Sequence, residues 1–248
     1  MLYPFILTTL AGMATMIGTI PIFVKIKNPD RLIAAACAFA SGVMICVSVF
    51  DLIPEAINYF RGMYGGIIII LLTFISIILG MYTSLGMDRL VNKVSDGNNL
   101  FKVGILSMIV IILHNIPEGI VTYIVSNKNI MLGVSICIAI ALHNIPEGIS
   151  IAIPLYYSTG SKLKAVLYTL VSALSELLGA IITYLFLGRY IREFELGILF
   201  SFIAGIMIQI SYSKLLPTGR DYDSKLSRLF FVIGFAFMLF SLFLNSIL

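Results

Sequence analysis

The sequence has 248 residues, of which 60% are hydrophobic and only 11% charged, with a mean hydropathy of +1.06. A soluble domain of this length needs far more polar surface, and the formal net charge of +4 forms no patch that supports a nucleic-acid role. The apolar runs are instead long enough to cross a hydrocarbon core, which takes about 20 residues per helix.

Eight such runs are predicted, at 3–24, 32–57, 65–87, 101–126, 130–156, 165–187, 195–213 and 227–247. The first begins "MLYPFILTTL", with no basic segment ahead of it, so a cleavable signal is not expected. The second ends in "DLIPEA", placing Asp51 and Glu55 at its rim, where they either collect cations or form a plain solvated helix end. After the third comes the longest connection, 88–100, "DRLVNKVSDGNNL", expected to be a mobile polar loop. The fourth and fifth each contain "HNIPEG", and the sixth contains Glu176. None of the runs alternates like a barrel strand. Cys37, Cys46 and Cys137 all fall inside runs, with no CxxC pair, and read as small buried residues. The fold class is thus an all-α integral membrane protein of eight transmembrane helices, one transmembrane domain over residues 1–248 with no soluble appendage.

Basic residues are unevenly shared between the connections. The odd-numbered ones hold 12 of the 16 lysines and arginines, and the even-numbered ones hold Arg61, Lys128, Arg189 and Arg192. Basic loops stay cytoplasmic, so both termini of this multi-pass protein are expected outside the cytoplasmic membrane.

The chain repeats itself. "SGVMICVSVFDLIP" at 41–54 lies over "AGIMIQISYSKLLP" at 204–217, matching Gly42 with Gly205, Met44 with Met207, Ser48 with Ser211 and Pro54 with Pro217 at a constant offset of 163 residues. The two segments sit in the second and seventh runs, which cross in opposite directions. The two hexapeptides likewise sit in antiparallel neighbours. Both pairs indicate inverted-topology repeats, spans 1–3 against 6–8 and span 4 against 5, a plan of transporters that hold substrate near the midplane.

The hexapeptide carries the chemistry. The only two histidines of the chain are His114 and His143, one in each copy. On a helix His114 and Glu118 share a face, as do His143 and Glu147, with Asn115 and Asn144 alongside. Pro117 and Pro146 lack an N–H and leave the carbonyls of Leu113 and Leu142 without their helical partner. His114 lies about 12 residues from the connection near Ser126, roughly 18 Å at 1.5 Å per residue, and His143 a similar distance back. Both copies are therefore near mid-membrane, and Glu176 is at a similar depth. Each buried charge costs roughly 2.5–3.5 kcal/mol at that depth, and no lysine or arginine lies at mid-span to offset three carboxylates. The acids are either protonated or gathered around a metal cation, and two imidazoles at the same level favour metal. Imidazole with carboxylate suits zinc, iron(II), cobalt, nickel and manganese, whereas calcium and magnesium prefer all-oxygen shells.

Two successive spans bearing H-N-x-P-E-G, a buried glutamate in the next span, eight spans and outward termini resemble the ZIP (Zrt/Irt-like) divalent-metal transporters, in particular their bacterial zinc-uptake branch. The likeness runs through nearly the whole chain, from "ILTTLAGMATMIGT" onward. It implies import of Zn2+, alternatively Fe2+, Mn2+ or Co2+, as transported substrate, a binuclear centre between spans four and five, and a homodimer in the lipid bilayer. By position, the resemblance implies one site from His114, Glu118, His143 and Glu147. It implies a second from Asn115, Glu118, Asn144, Glu147 and Glu176, with Met44 approaching the first. Many family members carry a His-rich loop between spans three and four; residues 88–100 contain no histidine.

Rival readings are an intramembrane zinc-dependent hydrolase, a metal sensor and an exporter. Zinc hydrolases of this kind usually show H-E-x-x-H with an acid placed as general base, whereas this chain has H-x-x-x-E twice. A sensor needs an output domain, and an exporter would use the same residues.

Overall fold

The computed structural model describes residues 2–94, 98–187 and 193–247, and among them every regular element is helical. Among the described residues, eight helices are long and apolar enough to cross a membrane: α1 (Leu2–Phe23), α2 (Pro29–Arg61), α3 (Gly66–Lys93), α4 (Asn99–Lys128), α5 (Ile130–Thr159), α6 (Lys162–Phe186), α7 (Glu193–Tyr222) and α8 (Ser224–Leu244).

Short polar residues start the helices. Asn28 precedes Pro29 and accepts from the Arg31 N–H, Asn98 accepts from Phe101 N–H at 2.9 Å, and Ser161 accepts from Lys164 N–H. Asn129 alone separates α4 from α5, accepting from the N–H groups of Met131 and Leu132. Gly160, at φ 67°, closes α5 in the left-handed conformation that favours glycine.

The expected loop at 88–100 is mostly helix. The third helix continues to Val94 and α4 begins at Asn99. Asp88 is held within it, accepting from Asn92 Nδ2 at 3.0 Å one turn on and from Lys214 Nζ of α7 at 2.8 Å. Polar residues read as a loop are thus satisfied along a helix. Residues 95–97 of that connection, and Arg189 and Arg192 from the topology count, lie outside the described residues. The seventh span also runs nine residues beyond its predicted end, to Tyr222.

The spans form two groups, α1, α4, α5 and α6 in one and α2, α3, α7 and α8 in the other, joined chiefly where α2 meets α5 and α4 meets α7. Their packing repeats with inverted symmetry. A Cβ on Gly80 of α3 would lie 1.9 Å from the Phe202 carbonyl oxygen of α7, and one on Gly234 of α8 would lie 2.2 Å from that of Phe39 in α2. Phe39 and Phe202 are 163 residues apart, as the sequence repeat requires. The same offset relates five-residue π-helical turns at Ser48–Leu52 and Ser211–Leu215. Pro54 and Pro217 explain them: neither donates to the carbonyl four residues earlier, and the ladder widens there.

Replacing Gly80 with valine should therefore lower the unfolding temperature of the purified protein in detergent, a loss of about 1–3 kcal/mol from overpacking. Gly86→Val on the same helix, with nothing within 4 Å of its Cβ, should leave the temperature unchanged; equal behaviour of the two variants would refute this helix contact.

Candidate metal centre

The one-residue connection at Asn129 holds α4 and α5 side by side and antiparallel, which brings the two hexapeptides together. His114, Glu118, His143 and Glu147 are all buried, at 1%, 5%, 2% and 1% exposure. Glu118 Oε1 lies 3.0 Å from His114 Nε2 and 2.7 Å from His143 Nε2, and His114 Nε2 lies 3.5 Å from Glu147 Oε1. One ligand atom each from His114, Glu118 and His143 falls within 4.8 Å of the others. A tetrahedral ion with bonds of about 2.0–2.2 Å separates its ligands by roughly 3.4 Å; the His114–Glu147 separation is close to this, and the two contacts of Glu118 Oε1 are shorter, so this oxygen moves outward when an ion takes its place between the imidazoles. His114 Nε2 is close to two carboxylate oxygens yet makes a hydrogen bond to neither. His143 Nε2 and Glu118 Oε1 share a hydrogen bond at 2.7 Å, and His114 Nε2 and Glu147 Oε1 stand beside that pair.

A second set of donors adjoins the first. Asn144 Nδ2 donates to Glu176 Oε2 and to the Ala11 carbonyl, each at 2.9 Å, and Asn115 Nδ2 donates to the Ser172 carbonyl at 3.2 Å. Ala11 and Ser172 occupy matching places in α1 and α6, 161 residues apart, so the inverted repeat extends to the outer partners of the two asparagines. Both amides spend their N–H on neighbouring helices and keep their oxygens. Asn115 Oδ1, Glu118 Oε2, Asn144 Oδ1, Glu147 Oε2 and Glu176 Oε1 are buried with no hydrogen-bond donor. Unpaired buried acceptors are costly, and a cation is the partner that an acceptor-only set fits.

The glycine that ends each hexapeptide sets the helix spacing. A Cβ on Gly119 would lie 1.9 Å from the Glu176 carbonyl oxygen, and one on Gly148 would lie 1.9 Å from that of Thr15. No larger residue allows α4 to approach α6, or α5 to approach α1, at this distance.

A cavity of about 210 Å³ is lined by Glu118 and His143 together with Asp51 and Glu55 of α2. A further cavity of about 510 Å³, which also has Val121 in its wall, is lined by Lys128 and Glu193 near the face that carries the termini. Toward the opposite, basic-loop face, Leu106, Val110 and Ile111 of α4 are packed into the main apolar core.

The family profile described as ZIP Zinc transporter matches residues 94–242, which contain both hexapeptides and Glu176. The chain is 37% identical to the zinc transporter ZupT of Enterobacter sp. (strain 638) over 226 residues, 89% of this chain and 88% of the relative. It is also 37% identical to the zinc transporter ZupT of Oceanobacillus iheyensis, over 98% of both chains, and 36% identical to that of Campylobacter jejuni, over 96% and 94%. This chain belongs to the ZIP family.

Within this ZIP protein, the structure brings together His114, Glu118, His143 and Glu147 in one cluster and Asn144 with Glu176 in an adjoining one. Asn115 is one residue from His114 but turns its amide toward α6. The contacts that build the cluster do not include Met44, which is packed in the main apolar core. Asp51 and Glu55 are half-buried in the cavity of Glu118 and His143 rather than forming a plain solvated helix end. Their signal in the sequence was the four-residue spacing around Pro54, which puts both acids on one face.

Glu118 is the group nearest to both imidazoles, so Glu118→Ala should weaken zinc binding by the purified chain more than the 10–100-fold typical of losing an outer partner of a ligand. Isothermal titration checks this, and an unchanged affinity would remove Glu118 from the site.

Proposed function

We propose that this chain imports divalent transition metal, zinc first and iron(II), manganese or cobalt as alternatives, across the cytoplasmic membrane through a binuclear site between α4 and α5. The observation that carries this reading is the gathering of two imidazoles and four donor-less oxygens at the buried hexapeptides, with a fifth such oxygen on Glu176. The first ion is held by His114, Glu118, His143 and Glu147, with Met44 approaching from α2. The second is held by Asn115, Glu118, Asn144, Glu147 and Glu176, and the two shared glutamates bridge the ions. Sharing lets an ion pass between sites without losing every ligand at once.

The direction of transport rests on the basic connections, which hold that face in the cytoplasm and leave both termini outside. On this reading the cavity of Asp51 and Glu55 admits metal from outside. Release inward requires the group containing α4 and α5 to shift against α2, α3, α7 and α8, since apolar side chains of α4 fill the path on the cytoplasmic side. The family resemblance supports a homodimer, each copy a single transmembrane domain over residues 1–248. Membership in a transporter family makes this chain no enzyme, and the hydrolase alternative gains no support: the symmetric supply of ligands sets no carboxylate apart as a base.

Purified chain in sealed liposomes should carry zinc to a trapped metal-sensitive dye with saturable kinetics, and the Glu118→Ala, Glu147→Ala double variant should insert but carry none. Metal displaces protons from its ligands, so flux should fall on acidification. Zinc that binds without crossing, or normal flux in the double variant, would overturn the reading.

A further inference from the structure

The inverted repeat equates two positions of opposite charge. At the 163-residue offset Asp51 of α2 corresponds to Lys214 of α7, and each is the fourth residue of its π-helical turn, Ser48–Leu52 or Ser211–Leu215. Both side chains face a cavity, at opposite faces of the bundle. Asp51 shares the cavity of about 210 Å³ with Glu118 and His143. Lys214 lines a cavity of about 410 Å³ at the basic-loop face with Asp88 of α3, Asp221 of α7, and Asn99 and Lys102 of α4. Its Nζ donates to Asp88 Oδ1 at 2.8 Å, with the two side chains 28% and 22% exposed.

On the terminal side the outer cavity sets Lys128 against Glu193, and at the level of the π-helical turn a divalent cation meets a carboxylate, Asp51. From the basic-loop face it meets an ammonium at the equivalent place, already seated on the nearest carboxylate, with Lys102 beside it. That cavity also lies between the two helix groups, since its wall combines α3 and α7 with the start of α4. We propose that Lys214 makes metal access unequal at the two faces: its ammonium, docked on Asp88, is a built-in cation that weakens binding of divalent metal from the inner cavity. The proposal rests on the import reading above, including its topology.

The test measures zinc uptake into right-side-out and everted membrane vesicles from cells expressing the full chain, normalised to the amount of protein in the membrane. Wild type should show a higher KM from the inner face than from the outer. Lys214→Gln should lower the inner-face KM, and Lys214→Asp, which restores the charge of Asp51, should lower it by about ten-fold, as expected for reversing a charge beside a divalent ion in a hydrated, partly screened cavity. Lys214→Arg should keep wild-type values, and outer-face KM should stay constant throughout. An unchanged inner-face KM in the Gln and Asp variants, with outer-face flux intact, overturns the barrier alone. Equal changes at both faces overturn it too, by indicating a general effect on the metal centre. Wild-type vesicles that carry no zinc from the outer face overturn the import reading and the barrier with it.

Discussion

The structure is organised around one electrostatic constraint. Three carboxylates and two imidazoles are buried in an apolar helical bundle, and the contacts among them include no lysine or arginine. In such surroundings a carboxylate is tolerable only when it is neutralised or shared with a cation. Glu118 shows how the fold meets this demand, with one oxygen held within 3.0 Å of imidazoles from both α4 and α5. The other oxygen has no donor at all. A group arranged in this way is stable with a divalent ion beside it and costly without one, which suits a site that must bind a cation and then give it up.

Close backbone packing is what makes the arrangement possible. The hexapeptide combines its ligands with the residue that positions them: Gly119 and Gly148 bring the helices against Glu176 and Thr15, and Asn115 and Asn144 tie the same helices to backbone carbonyls of α6 and α1. The ligands are carried by a tightly packed group of four helices. The remaining four pack by a separate set of glycine contacts, centred on Gly80 and Gly234. The metal centre is thus built within one group, and the cavities that reach toward it lie along the seam with the other.

Much of this was legible in the sequence because a membrane simplifies the problem. With no water to satisfy the backbone, an apolar run of sufficient length is a helix, and all eight were located from composition. The metal ligands were legible because polar residues are rare there and the hexapeptide occurs twice. What escaped depended on contacts between distant segments. The 88–100 stretch looks like a loop by composition, but Asp88 has partners in Asn92 and Lys214 that let the helix continue. Asp51 was ambiguous because its depth depends on how α2 meets α4 and α5. The donor-less oxygen of Glu176 became visible only when Asn144 was seen to occupy the other one. The π-helical turns had a trace in the sequence, the aligned prolines, yet proline alone does not distinguish a widened turn from a kink.

The first span shows how differently the two halves are wound away from the metal centre. From Ala14 to Phe23 it is wound as a 3₁₀ helix, which rises about 2.0 Å per residue rather than about 1.5 Å. Those ten residues cover about 20 Å instead of the roughly 15 Å of an α-helix. The repeat partner α6 departs in the opposite sense, holding α-helical winding to Ile182 and then widening into a π-helical turn. Helix pitch is thus where the two arms differ: one stretches its last residues along the membrane normal and the other shortens them, while the residues that face the metal centre keep ordinary α-helical spacing in both.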